Sequence, residues 1–283
     1  GAGADIFLAN DPVGATNTGT VYATAITVYG GDGNDVVTTG SRAGLIVGDT
    51  STAGSDLLAG GTGNDVIWGD FFGDPHNPVG GSDTLWGGAG NDTLYGGGGN
   101  DTIFGGVGID TIFGGAGDDV IQDLDGAALL FGGDGADRFL LSFNSASFVV
   151  QPSSTGADAA GDGDDYVRII VWNGNLAYDQ VSMTLGAGND TYVTTDGLSG
   201  NQIDRIAGES GDDIISTWAG NDMIWGGTGN DALWGGSGND TLEGDLFDQT
   251  LGGGPGNDYL KGHAGIDRFA GGPGNDDPRD EDV

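Results

Sequence analysis

GGGGNDTIFGGVGIDTIFGGAGDDVI, residues 96–121, repeats the frame GGxGxDxxx every nine residues. The aspartate that closes each turn falls at Asp101, Asp110 and Asp119. We number a unit 1 to 9, with glycine at 1, 2 and 4 and aspartate at 6. The same phase is then found outward along the chain. It places an aspartate at Asp35, Asp65, Asp92, Asp137, Asp165, Asp190, Asp213, Asp222, Asp231, Asp240, Asp258, Asp267 and Asp276, with partial copies at Asp5, Asp56 and Asp83. Position 8 is always large and apolar, from Val37 and Ile67 through Ile103 and Ile112 to Leu260 and Phe269. Position 7 is often threonine, as at Thr84, Thr93, Thr102, Thr111, Thr191 and Thr241. A polar, an apolar and a variable residue in succession predict a short strand whose middle side chain points inward. The six residues before it predict a glycine-rich turn.

One three-residue strand buries almost nothing, so stacking must supply the core. Two units make an 18-residue coil with two strands facing each other. Coils then stack at about 4.8 Å, which sets Asp92 under Asp110 and Asp101 under Asp119. The expected fold is all-β: a parallel β-roll or β-helix solenoid with aspartate columns along its edges.

Composition agrees. Glycine makes up 62 of 283 residues, without a collagen-like G-X-Y period. Acids outnumber bases 43 to 7, and only Glu209, Glu243 and Glu281 are glutamates. The short acid at a fixed phase points to ligand geometry beyond charge alone, although aspartate also suits tight turns. A net charge of −36 argues for disorder, while 36% apolar content argues for a core. The two agree only if something neutralises the acids. Nucleic acid is a poor partner for this charge. There is no cysteine for a disulfide or thiolate site, and no apolar run long enough to span a membrane.

Hard divalent cations resolve the conflict. Calcium takes six to eight oxygens from carboxylates and carbonyls, and glycines at 1, 2 and 4 let the turn adopt positive φ and wrap an ion. Magnesium fits less well because it keeps its waters, and zinc would want more than His76 and His263. No HExxH, GxSxG or cysteine nucleophile is present, and the two histidines sit singly among glycine and proline. The sequence therefore offers no catalytic residue, and the expectation is that the chain is not an enzyme.

GGTGNDVIW (60–68), GGAGNDTLY (87–95), GGTGNDALW (226–234) and GGSGNDTLE (235–243) resemble the repeats-in-toxin (RTX) nonapeptide. That resemblance implies a β-roll that folds on calcium, and secretion by a type I channel from a Gram-negative bacterium. It makes the position-6 aspartates, Asp83 included, the carboxylate ligands. It assigns carbonyl ligands to Gly87, Ala89, Asn91, Gly96, Gly98 and Asn100, and to Gly226, Thr228, Asn230, Gly235, Ser237 and Asn239. Stacked aspartate pairs suggest about ten ions.

The frame also breaks. Ala128 and Gln249 occupy aspartate slots, where ions are expected to be weak or absent. Residues 70–80 (DFFGDPHNPVG) stand in the place of a unit but predict a loop thrown out from the roll. Spacing divides the chain into wide coils over 1–53, a tight block over 54–140, wider coils over 141–207, and a second tight block with an acidic tail over 208–283. One continuous solenoid is the simplest reading; two rolls joined by a small β-sandwich is the alternative. Residues 151–160 are linker-like, and the opening GAGADIFL starts inside a unit, which suggests a fragment or processed form.

Position 9 carries aromatics. Trp68, Trp86 and Phe104 lie 18 apart and are expected to stack on one face, with Tyr95 and Phe113 on the other; Trp225 and Trp234 repeat the theme. Shielding of the strands is the bland reading, and recognition of cell-surface glycan or another protein the sharper one. Threonine rows such as Thr84 and Thr102 suggest ice binding, which the bulky aromatics beside them weaken. The function expected is a secreted, calcium-binding structural or adhesive module at the cell exterior. The alternatives are a recognition module, or the C-terminal export module of a larger secreted hydrolase. Open sheet edges allow self-association.

Overall fold

The computed structural model describes residues 6–8, 26–30, 33–39, 44–49, 54–70, 79–123, 129–143, 148–151, 163–171, 180–195, 203–244, 247–263 and 265–280. The expectations on Asp5, His76, Ala128, most of 151–160 and the last three residues lie outside these. The chain divides into two units, residues 1–133 and 134–283.

In each unit every strand pairs in parallel with the strand two along, so successive strands alternate between two sheets. In the first unit Leu58 pairs with Leu85 and Leu85 with Ile103 in one sheet. Ile67 pairs with Leu94 and Leu94 with Ile112 in the other. In the second unit Ile215 pairs with Leu233, Leu251 and Phe269 in succession. Ile206, Ile224, Leu242 and Leu260 form the facing row. The described residues contain no helix. This is the parallel β-solenoid that the period of nine implies.

The core is the position-8 row. Leu58, Ile67, Leu85, Leu94, Ile103, Ile112, Tyr192, Ile206, Ile224, Leu242 and Leu251 are all 0% exposed. Burying each aliphatic side chain contributes roughly 1.5–3 kcal/mol. Phe269, in the last strand of its sheet, is only half-buried.

Coil length follows the spacing of the repeat. Column mates lie 18 residues apart at Asp83 and Asp101, but 27 apart at Asp56 and Asp83. The longer coil contains the 70–80 segment, of which 71–78 lie outside the described residues. In the second unit the spacing contracts from 28 to 25, 23 and then 18. Strands of eight residues, Gln180–Ala187 and Ile203–Ser210, occur in the longer coils.

The strands exceed the expected three residues in many coils. Thr84–Ala89 and Thr102–Val107 run six residues each and pair through Gly88↔Gly106 and Ala89↔Val107. Positions 1 to 3 of the turn thus belong to the ladder, and the chain bends at positions 4 to 6.

Candidate metal centre

Three glycines in each unit serve two different purposes. In most units positions 2 and 4 have positive φ, as at Gly88 (108°) and Gly90 (137°), a region in which glycine is favoured. His263 and Glu209 occupy position 2 in their coils at φ 68° and 79°. Position 1 has no such need, contrary to the reading that all three glycines supply positive φ. Its glycine makes room for a carboxylate. A Cβ on Gly60 would lie 2.6 Å from Asp65 Oδ2 and 2.6 Å from the carbonyl oxygen of Gly87. Gly87, Gly96 and Gly208 are confined in the same way by Asp92, Asp101 and Asp213 together with the carbonyls of Gly105, Gly114 and Gly226.

The aspartates form hydrogen-bonded columns. The Asp83 N–H donates to Asp101 Oδ1 at 2.8 Å, and the Asp101 N–H to Asp119 Oδ1 at 2.8 Å. On the opposite edge Asp65 donates to Asp92 at 2.8 Å, and Asp92 to Asp110 at 2.9 Å. Asp35 donates to Asp56. The second unit repeats the pattern. One column runs from Asp137 through Asp165, Asp190 and Asp213 to Asp231. The other runs through Asp222, Asp240, Asp258 and Asp276. Asp267 accepts from Gln249.

This uses only one carboxylate oxygen. Oδ2 is buried without a hydrogen-bond partner at Asp56, Asp65, Asp83, Asp92, Asp101 and Asp110, and at Asp213, Asp240, Asp258 and Asp267. Unpaired buried anions are costly, and the carboxyls respond. Burial is the main cause, pushing Asp83 up to about 8, Asp56 and Asp213 to about 7, and Asp110 to about 6. Neighbouring carboxylates add to the rise, while the backbone N–H bonds oppose it. Asp101 reaches about 10, through burial and then the charge of Asp119.

Four side chains reveal what the buried oxygens lack. At the slot of Gln249, Oε1 accepts the Asp231 N–H at 2.9 Å, as a carboxylate would. Its Nε2 then donates to the Gly229 carbonyl at 2.9 Å. Thr217 stands at position 1 in place of glycine, and its hydroxyl donates to the Gly235 carbonyl at 2.7 Å. The hydroxyl of Thr39, at the same position, donates to the Gly60 carbonyl. Tyr192 is inward and fully buried, and its hydroxyl donates to Asp204 Oδ2 at 3.2 Å. Where the repeat departs from its frame, a hydrogen-bond donor meets the carbonyl or carboxylate oxygen. Where it keeps the frame, as at Asp65, Asp83 and Asp213, a carboxylate oxygen and a backbone carbonyl oxygen face each other.

Among the described residues no three His, Cys, Asp or Glu side chains converge on a point. At position 1 a carboxylate Oδ2 and a backbone carbonyl come together, so an ion held there would take both. That donor set is all oxygen and suits calcium, with charge from the carboxylate and neutral carbonyls completing the shell. The carbonyls of Gly87, Gly96 and Gly226 face carboxylates, those of Asp65, Asp83 and Asp213. The Gly98 carbonyl faces Asp70. The position-3 carbonyls of Ala89, Thr228 and Ser237 instead accept N–H bonds from Gly63, Gly211 and Gly220. Gly235 is engaged by Thr217. At position 5 the side chains form a second, exposed ladder. Asn91, Asn100 and Asn239 accept from Ile109, Asp118 and Asn257, and Asn230 bonds Asp212.

Some residues escaped the sequence reading. Asp204 is buried in the column and donates to Asp222. It lies nine residues before Asp213, in the frame DRIAG, but lacks the glycine pair in front. Asp49, Asp70 and Asp123 are buried off the aspartate phase. Asp70 ties the ends of its segment together by accepting from Gly81 and Gly98.

The aromatic faces need correction. Trp68 does not stack with Trp86, because the longer coil shifts it to the other sheet. Instead Trp68, Tyr95, Phe113 and Phe131 form one column, with ring centroids 3.8, 4.9 and 4.7 Å apart. Trp86 stacks on Phe104 at 5.5 Å. Trp225 pairs with Ala207 and Glu243 in one sheet, and Trp234 with Ser216 and Gly252 in the other.

A family model of the RTX calcium-binding nonapeptide repeat, in four copies, matches residues 27–41, 50–71, 79–112, 104–139, 198–233, 219–251 and 252–277, well over half of the chain. No curated protein matches the chain.

Proposed function

Because the chain belongs to the family of RTX calcium-binding nonapeptide repeats, we propose that it is a secreted structural or adhesive module that stays unfolded until it meets calcium outside a Gram-negative cell. The observation that carries this reading is the buried Oδ2, without a hydrogen-bond partner and opposite a backbone carbonyl, of position-6 aspartates such as Asp65, Asp83 and Asp213. Ionised and without a cation, these groups oppose the closing of the core they flank. Bound calcium supplies the missing positive charge, and binding then becomes folding free energy. About ten ions would cancel some twenty of the chain's negative charges. A chain of net charge −36 in calcium-poor cytosol remains extended and fit for export through a type I channel.

Asp101→Ala and Asp277→Ala test the reading as a pair. Asp101 is 1% exposed inside a column, whereas Asp277 lies on the surface against Arg279. Limited proteolysis across a calcium series should show the midpoint of protection moved several-fold higher by Asp101→Ala and unmoved by Asp277→Ala. Equal midpoints, or full protection of the parent chain in chelator, would contradict the reading.

A further inference from the structure

In the first unit the outward aromatics stack on one another, so ring faces are covered by rings. The second unit differs. Along one sheet the outward residues in register are Ser216, Trp234, Gly252 and Ala270. One indole thus stands in a row of small residues. It leans along the row, because a Cβ on Gly252 would lie 2.7 Å from Trp234 Cδ1 and 3.2 Å from Nε1. Trp218 follows in the adjoining turn, with its carbonyl accepting the Ser237 N–H at 2.9 Å. Trp218 is 56% exposed and Trp234 41%. Both indoles border an open groove of about 700 Å³, lined otherwise by glycines, Ala270, Pro255, Thr217, Ser216 and Ser237.

The lining fixes the chemistry of an occupant. No lining residue is charged, so the groove offers no counter-ion to a phosphate, a carboxylate or an ammonium group. The surrounding chain, at −36, turns anions away. The two indole faces call for a flat apolar face, and Ser216 and Ser237 in the lining call for hydroxyls. A pyranose ring has both: C–H bonds on its face and hydroxyls around its rim. The volume lies within the range of about 300–1,000 Å³ usual for small-ligand sites and exceeds what one ring needs. We infer that this groove binds a short stretch of neutral oligosaccharide, with sugar rings laid against Trp234 and Trp218. The groove adjoins an aspartate column at Thr217 and Gly253 but is lined by no carboxylate, so it adds recognition to a calcium-folded scaffold.

The test uses the full chain loaded with calcium. Cellohexaose, maltohexaose and chitohexaose are titrated by calorimetry, with hexagalacturonate as the anionic counterpart and a proline-rich decapeptide as the non-sugar counterpart. Saturable heat is expected from at least one neutral hexasaccharide and not from the other two ligands. Trp234→Ala should weaken that binding at least tenfold. Trp86→Ala, in the first unit, should leave it unchanged. Trp218→Ala, a turn substitution at an exposed side chain, should weaken it as well and keeps the test alive if Trp234→Ala does not fold. The calcium transition of each variant, followed by circular dichroism, separates a lost groove from a lost fold. Absence of binding by every neutral sugar, binding that survives both groove variants, or binding of the galacturonate or peptide alone would overturn the inference.

Discussion

At the scale of the residue, a turn that holds cations is distinguished from one that does not by a single atom. Asp and Gln accept the same backbone N–H through one oxygen, and differ in what the second atom brings. Asp240 and Asp258 bring a bare buried oxygen; Gln249 brings an amide that donates to the Gly229 carbonyl. Gln249→Asp should therefore convert a self-satisfied turn into an ion-binding one. Calorimetric titration is expected to show one more calcium bound per chain, together with lower residual structure in chelator. An unchanged stoichiometry would mean that the carbonyls opposite this slot are not ligands. This contrast was only half legible in sequence. The missing carboxylate at Gln249 stands out against the count of nine, whereas the donors from Thr39, Thr217 and Tyr192 come from positions 1 and 8, and only stacking reveals what they touch.

At the scale of the element, the nonapeptide determines strand, face and register together. Position 8 points in, position 9 points out, and each pairs with its equivalent one coil away, as Ile112 pairs with Leu94 and Phe113 with Tyr95. The outward aromatics then brace the sheet. Phe113 lies between Tyr95 and Phe131, tilted by only 4° and 1° from them. Aromatic pairs contribute about 0.5–1.5 kcal/mol each beyond burial, so Phe113→Ala should cost about 1–3 kcal/mol in saturating calcium. Urea unfolding measures it, and a loss near zero would make the column decorative. The period was enough to place the strands and most of the aspartate columns. It was not enough to place Trp68, because an insertion of one unit's length leaves the count intact while the strand passes to the opposite sheet. Nor could it find Asp49 and Asp70, whose places are fixed by coil-to-coil contact and not by phase.

At the scale of the whole molecule, charge and core compete, and protons should substitute in part for calcium. In the calcium-free fold, burial holds Asp56, Asp83, Asp110 and Asp213 between about 6 and 8, above an unfolded value near 4. A carboxyl raised on folding contributes stability that is full below its unfolded pKa and lost as pH rises through the folded one. Chelated protein should therefore gain β structure as pH falls from 8 toward 4, while the calcium midpoint at pH 5.5 lies above that at pH 8. A chelated chain equally unfolded at both ends of that range would mean that the carboxylates do not control the fold.

The most direct test of the account is far-UV circular dichroism during a calcium titration of exhaustively chelated protein at pH 7.5, with magnesium in parallel. Calcium should drive a cooperative passage from coil to β structure, with little change from magnesium at the same concentration. Full β structure already present in chelator, or an equal response to magnesium, would contradict it.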